Sequence, residues 1–196
     1  MRKSERQWMG RSAVVAVIAA LATACSADAP VGPRTVPELS AAPSSARNAV
    51  RAPDLGSCQN LAAPRGTKLA AHVYAAGVQI YTWNGASWSF DGPSASLTAD
   101  AGGSGVVGTH YAGPTWESNS GGTVVGTVID RCTPDPNAVP WLLLSAVANG
   151  PGLFHRVTYI QRLNTVGGLA PAAPGSSVGQ EARVPYTTEY LFYRPQ

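Results

Sequence analysis

The chain has 196 residues, with 14 Lys and Arg against 11 Asp and Glu, and only 13% of its side chains are charged. Arg2, Lys3, Arg6, Arg11 and Glu5 all lie ahead of Cys25, and without that leader ten basic and ten acidic side chains remain. The basicity belongs to the N-terminus. No later cluster of Lys and Arg interleaves with aromatics, so no nucleic-acid partner is expected.

Residues 1–24 read as a signal peptide. The basic stretch MRKSERQWMGR is followed by the uncharged run Ser12 to Leu21, which has the n-region and h-region pattern of an export signal and is about half the ~20 residues of a transmembrane helix. The run ends in Leu21-Ala22-Thr23-Ala24-Cys25. Cys25 is expected to be the lipid-attachment residue of a cell-envelope lipoprotein, and an ordinary small-residue cut yielding a secreted soluble protein is the alternative. Ser26, rather than Asp, follows Cys25 and favours the outer membrane in a cell that has one. Residues 25–54, rich in Ala, Pro and Ser and without an aromatic, read as a flexible tether.

Residues 55–196 form a single expected domain, holding every tyrosine and phenylalanine and four of the five tryptophans. Cys58 and Cys132 sit in a chain addressed to an oxidising compartment, where a disulfide between them is the default and two buried thiols the alternative.

The domain's segments are short, β-branched or aromatic, and bounded by Gly, Pro and Asn. Strands are predicted at Leu69 to Tyr74, at Val78 to Trp83 and Ala86 to Phe90 about Asn84-Gly85, and at Gly105 to Tyr111, Thr123 to Arg131, Trp141 to Ala148, Leu153 to Leu163 and Arg183 to Tyr193. Asn-Gly is a strong two-residue hairpin signal because both turn positions need positive φ. PWLLLSAVA is apolar on both faces and reads as a strand covered on both sides. In LFHRVTYIQRL the face bearing Leu153, His155, Val157, Tyr159, Gln161 and Leu163 is the one expected inward. The fold class is all-β: an antiparallel sandwich or closed barrel of roughly eight to ten strands.

Two enzyme motifs match in letters and fail in context. Gly103 to Gly108 fits G-x-G-x-x-G, with Asp130 placed as a ribose-binding acid would be, but a polar TADAG precedes it and Gly113-Pro114 breaks the chain soon after it. A dinucleotide site needs a strand before the glycines and a helix after them, so an NAD-dependent dehydrogenase is not expected. Gly175 to Gly179 fits G-x-S-x-G, yet the last histidine, His155, lies upstream. His72, His110 and His155, with Glu117, Asp100 and Asp130, show no ligand spacing, and neither a metal nor a cofactor is expected.

The richest stretch is GTHYAGPTWES, Gly108 to Ser118. Gly113-Pro114 turns the chain, and alternation sets His110 opposite to Tyr111, and Trp116 opposite to Thr115 and Glu117. An acid/base or ligand pair of His110 and Glu117 against an aromatic wall from Trp116 or Trp141 is the functional reading. The alternative makes Trp116 core and lets His110 and Glu117 satisfy backbone groups at the turn.

Together, GVQIYTW, HYAGPTWE, VPWLLLSA, VTYIQRLNTVGGLAP and VPYTTEYLFY resemble the family catalogued as domain of unknown function number three-four-five-five. The resemblance spans about Leu69 to Tyr193 and implies an exported protein with no established reaction or ligand. Many relatives carry a cysteine soon after GVQIY and another after the GG-x-AP segment. Here Trp83 and the PGSS of residues 174–177 occupy those places, and a Cys58–Cys132 bond is the expected replacement for that staple.

The sequence therefore favours an envelope protein binding a carbohydrate or other small ligand, with Tyr111, Trp116, Trp141, His155 and Gln161 as candidate contacts. Aromatic faces stacking on sugar faces motivate the carbohydrate. A hydrolase- or lyase-type enzyme using His110 and Glu117 is the rival, and a structural or protein-interaction module the third possibility.

Overall fold

The computed structural model describes residues 52–196. The expected signal peptide, Cys25 and most of the tether lie outside the described residues.

Eight antiparallel strands succeed one another around a closed barrel: β1 (Thr67–Trp83), β2 (Trp88–Thr98), β3 (Val106–Tyr111), β4 (Thr115–Ser118), β5 (Thr123–Cys132), β6 (Trp141–Asn149), β7 (Tyr159–Gly167) and β8 (Glu181–Pro195). Each pairs with the next, and β8 closes on β1 along nearly their whole length, from Thr67 opposite Pro195 to Thr82 opposite Glu181. Closure removes the sheet edges and decides between the two expected architectures. An eight-stranded barrel has an interior just wide enough for side chains to fill, which sets the scale of any internal site.

The two strands expected at Leu69 to Tyr74 and Val78 to Trp83 are one. Gly77 between them is not a turn: a Cβ there would lie 2.2 Å from the Ser94 carbonyl oxygen and 2.6 Å from the Ala95 Cβ. Glycine lets the two backbones approach while the strand runs on. The Asn84-Gly85 hairpin is present, but its loop is four residues long, Asn84 to Ser87, held by the Asn84 carboxamide oxygen accepting from the Ala86 and Ser87 amides at 2.9 Å each. The Gly103 to Gly108 motif straddles the β2–β3 turn and the start of β3, and no helix succeeds it.

Alternation assigns two faces to the wall. Val73, Ala75, Leu97, Trp116, Val124, Leu144, Ile160, Tyr190 and Phe192 pack inside as one core cluster. A second cluster lies on the outer face of β6, β7 and β8, where Leu143, Leu163, Leu191 and Tyr193 meet Leu55, Cys58 and Leu61 of the segment that precedes β1. The short 3-10 turn Gln59–Leu61 shapes this strap, and a disulfide joins Cys58 to Cys132 at the end of β5.

The expected inward face of LFHRVTYIQRL holds for Val157 and Leu153, which pack in or against the internal core, and needs correction at the rest. Residues 153–156 are a turn, with Arg156 at φ 62°, residues 157–158 are irregular, and the strand begins only at Tyr159. Ile160 belongs to the internal core, whereas Tyr159 and Leu163 belong to the outer cluster under the strap. Gln161 is buried there too: its amide nitrogen donates to the Leu61 carbonyl at 2.6 Å, and its oxygen accepts from the Tyr193 hydroxyl at 2.6 Å. Periodicity finds two faces but cannot say which is covered by the barrel and which by a distant segment. The strap also accounts for PWLLLSAVA. Leu144 packs inside and Leu143 under the strap, but beyond the strap Val147 is 75% exposed.

Trp83 and Gly175, at the two places where the resemblance implied a cysteine staple, are adjacent. A Cβ on Gly175 would lie 2.5 Å from Cγ of Trp83, so the indole packs directly on the glycine backbone.

Candidate ligand site inside the barrel

The β3–β4 corner divides the residues of GTHYAGPTWES between the two sides of the wall. His110 pairs in register with Trp116, and Thr109 with Glu117. Inside, the His110 ring stacks on the Trp116 indole at 4.2 Å and 10°, and Tyr190 meets both rings edge-on at 5.2 and 5.1 Å. Outside, the Tyr111 hydroxyl donates to the Glu117 carboxylate at 3.0 Å. That bond raises the Tyr111 pKa, because it leaves the phenol facing a negative charge.

His110 and Glu117 are thus not a pair. The His110 Nδ1–H donates to the Thr115 carbonyl at 2.8 Å, which leaves Nε2 unprotonated in the neutral ring. Burial pushes the His110 pKa down to about 3, assisted by the positive charge of Arg162 and opposed by the Thr115 bond. Such an imidazole stays neutral near neutral pH, which suits a ring wall better than an acid/base catalyst.

The other expected contacts do not gather. Trp141 lies against the strap cluster on the outer face, so it cannot share a wall with Trp116. His155 is exposed on the turn before β7, with Nδ1 3.4 Å from the Gly150 carbonyl. Gln161 is consumed in clasping the strap, and burial pushes its partner Tyr193 up to about 12. Of the expected residues, only His110 and Trp116 line the internal cavity.

That cavity measures about 100 Å³, and each of the eight strands supplies at least one lining side chain. Phe90 and Val128, 54% and 38% exposed, mark where it opens to solvent. Leu142 and Leu144 make apolar walls, while Gln79, His110, Arg162 and Tyr190 bring polar atoms to it. The Arg162 guanidinium donates from Nε and Nη2 to the Pro140 carbonyl at 3.1 and 2.7 Å. Among the described residues the ion pairs are His72–Glu189 and Arg183–Glu181, so Arg162 has no carboxylate partner there.

Several buried polar atoms around Arg162 also lack partners. They include the Gln79 amide nitrogen, the Trp116 Nε1–H and the Tyr190 hydroxyl, each on a residue only 1% exposed. The Tyr186 and Tyr190 hydroxyls face one another beside Arg162, with Tyr186 set to donate and Tyr190 to accept, so the proton of this pair left without an acceptor is that of Tyr190. Burial raises the pKa of both tyrosines against the lowering effect of Arg162, so both remain protonated donors. An unmet buried donor costs roughly 1–3 kcal/mol, and native interiors carry few of them. Gln79, Trp116 and Tyr190 all line the same cavity, which brings three such groups to one place.

The chain belongs to the family described as Protein of unknown function (DUF3455). The family's model matches residues 64–194, which take in the barrel from β1 almost to the end of β8 and leave Cys58 and the strap outside the match. No curated protein and no solved structure matches the chain.

A larger hollow of about 440 Å³ lies between the strap and the outer wall. It is more open, and its buried polar side chains, Gln161 and Tyr193, already satisfy one another. The internal cavity is therefore the better candidate in this DUF3455 domain. Sequence reasoning passed over Arg162, Gln79 and Tyr190. The available signal was Arg162 sharing the Ile160 face of YIQRL, a charge on a face that otherwise belongs to the core.

Proposed function

We propose that this DUF3455 protein is an exported, lipid-anchored binding protein of the cell envelope, receiving a small molecule in the open end of its barrel. The observation that carries the binding reading is the internal cavity lined from all eight strands, with partnerless buried donors on Gln79, Trp116 and Tyr190. Ligand pockets have this character: mostly apolar walls and a few convergent polar groups. The leader ending at Cys25 and the Cys58–Cys132 disulfide support export. The rival acid/base reading lacks its geometry, because His110 faces the core and Glu117 faces outward. The carbohydrate reading narrows as well, since Trp116 offers its face to His110 and not to an open groove.

A thermal-shift screen of small molecules on the exported, disulfide-bonded chain tests the binding reading, with Val128→Trp at the rim to block the mouth. Ligands are expected to stabilise the wild type and not the blocked variant. Equal stabilisation of both would place binding elsewhere, and no stabilisation by any compound would count against a ligand. Labelled fatty acid is expected on the wild type and absent from Cys25→Ser; an unlabelled wild type would overturn the anchor.

A further inference from the structure

Arg162 gives the cavity a chemical preference. Its guanidinium enters the barrel from β7, spends two N–H groups on the Pro140 carbonyl, and has no carboxylate partner among the described residues. The nearby unmet groups on Trp116, Gln79 and Tyr190 are all able to donate. A cationic ligand would be repelled by Arg162, and a neutral one would leave its charge uncompensated. The remaining walls, Leu142, Leu144, Phe90 and Val128, are apolar. One cation and a few neutral donors amid such walls match a single negative charge better than a phosphate dianion.

The size is limiting too. If one water needs ~10–15 Å³ of such space, about 100 Å³ admits a ligand of roughly seven to ten non-hydrogen atoms. Resting on the binding reading above, we infer that the ligand is a small aliphatic or aromatic monocarboxylate whose head meets Arg162 and the donors of Trp116, Gln79 and Tyr190, and whose tail lies on Leu142 and Leu144. A carboxylate presents two oxygens and about four acceptor sites, enough to meet these donors together.

The test compares sodium butyrate and sodium benzoate with butyramide and inorganic phosphate, at equal ionic strength, by titration calorimetry on the exported, disulfide-bonded chain. Butyrate or benzoate is expected to bind, with butyramide and phosphate at least tenfold weaker. Arg162→Gln is expected to lose about tenfold to a hundredfold in carboxylate affinity, the worth of a charge-assisted hydrogen bond. A second readout needs no variant: in ¹⁵N NMR of the wild type, the Trp116 indole N–H signal is expected to move with butyrate and stay with butyramide. Butyramide binding as well as butyrate and moving the same indole signal would overturn the carboxylate inference while supporting the cavity as a ligand site. Carboxylate binding that leaves the Trp116 signal still and survives Arg162→Gln would overturn the inference by placing the anion elsewhere. If none of the four probes binds, the inference falls, and the cavity reading then stands or falls with the wider screen and the blocked-mouth variant.

Discussion

Protonation of His110 offers a quantitative test of the internal architecture. The ring is buried between Trp116 and Tyr190, and its pKa is lowered to about 3 in the folded protein, against about 6.5 for an unfolded histidine. Between those values the unfolded chain binds a proton that the folded chain refuses, so stability rises with pH across this window. The stabilisation is fully present above the unfolded value and is lost progressively as pH falls toward the folded one. At 1.36 kcal/mol per unit, acidifying from about pH 7 to about pH 4.5 should cost about 2–3 kcal/mol through this one residue. His110→Phe keeps a ring on Trp116 but leaves the Thr115 carbonyl without its donor, a loss of about 1 kcal/mol that does not vary with pH. Urea unfolding of wild type and variant at both pH values isolates the effect. The wild type is expected to lose about 2–3 kcal/mol more than the variant over this interval. Equal losses would refute the argument, because they would mean that folded His110 takes up its proton as readily as a solvated one.

Features outside the cavity or at its edge give two stability predictions. The Cys58–Cys132 disulfide links residues 74 apart; the chain-entropy treatment gives about 4.5 kcal/mol for such a loop, so the Cys58→Ala/Cys132→Ala pair should unfold at markedly lower urea. A loss below about 1 kcal/mol would show that the outer cluster alone holds the strap and restrains the chain. At Gly126, an added Cβ would sit 2.9 Å from Leu144 Cδ2 and 3.1 Å from Trp116 Cζ3, so Gly126→Ala should cost about 1–2 kcal/mol by overpacking. A neutral or stabilising effect in the same assay would mean that the Trp116 indole is free to give way.

Much of this molecule is determined by local pattern. Aromatic and β-branched runs punctuated by Gly, Pro and Asn specify antiparallel strands and the Asn84 hairpin, because strand and turn preferences act over a few residues. Alternation in the sequence also separates His110 from Tyr111 and Trp116 from Glu117, and two cysteines behind a leader that reads as an export signal imply their bond. What local pattern cannot carry is the identity of the faces. His110 joins Trp116, and Tyr111 joins Glu117, only when β3 and β4 pair in their particular register. Gln161 could be assigned inward because it alternates with Arg162, yet burial under the strap depends on Leu61, one hundred residues earlier in the chain. Closure of β8 on β1 then sets Arg162, Gln79 and Tyr190 around the same small cavity as the His110–Trp116 stack. Side-chain direction along a strand is a local property with period two; which of those directions becomes an interior is decided by the curvature and closure of the whole sheet.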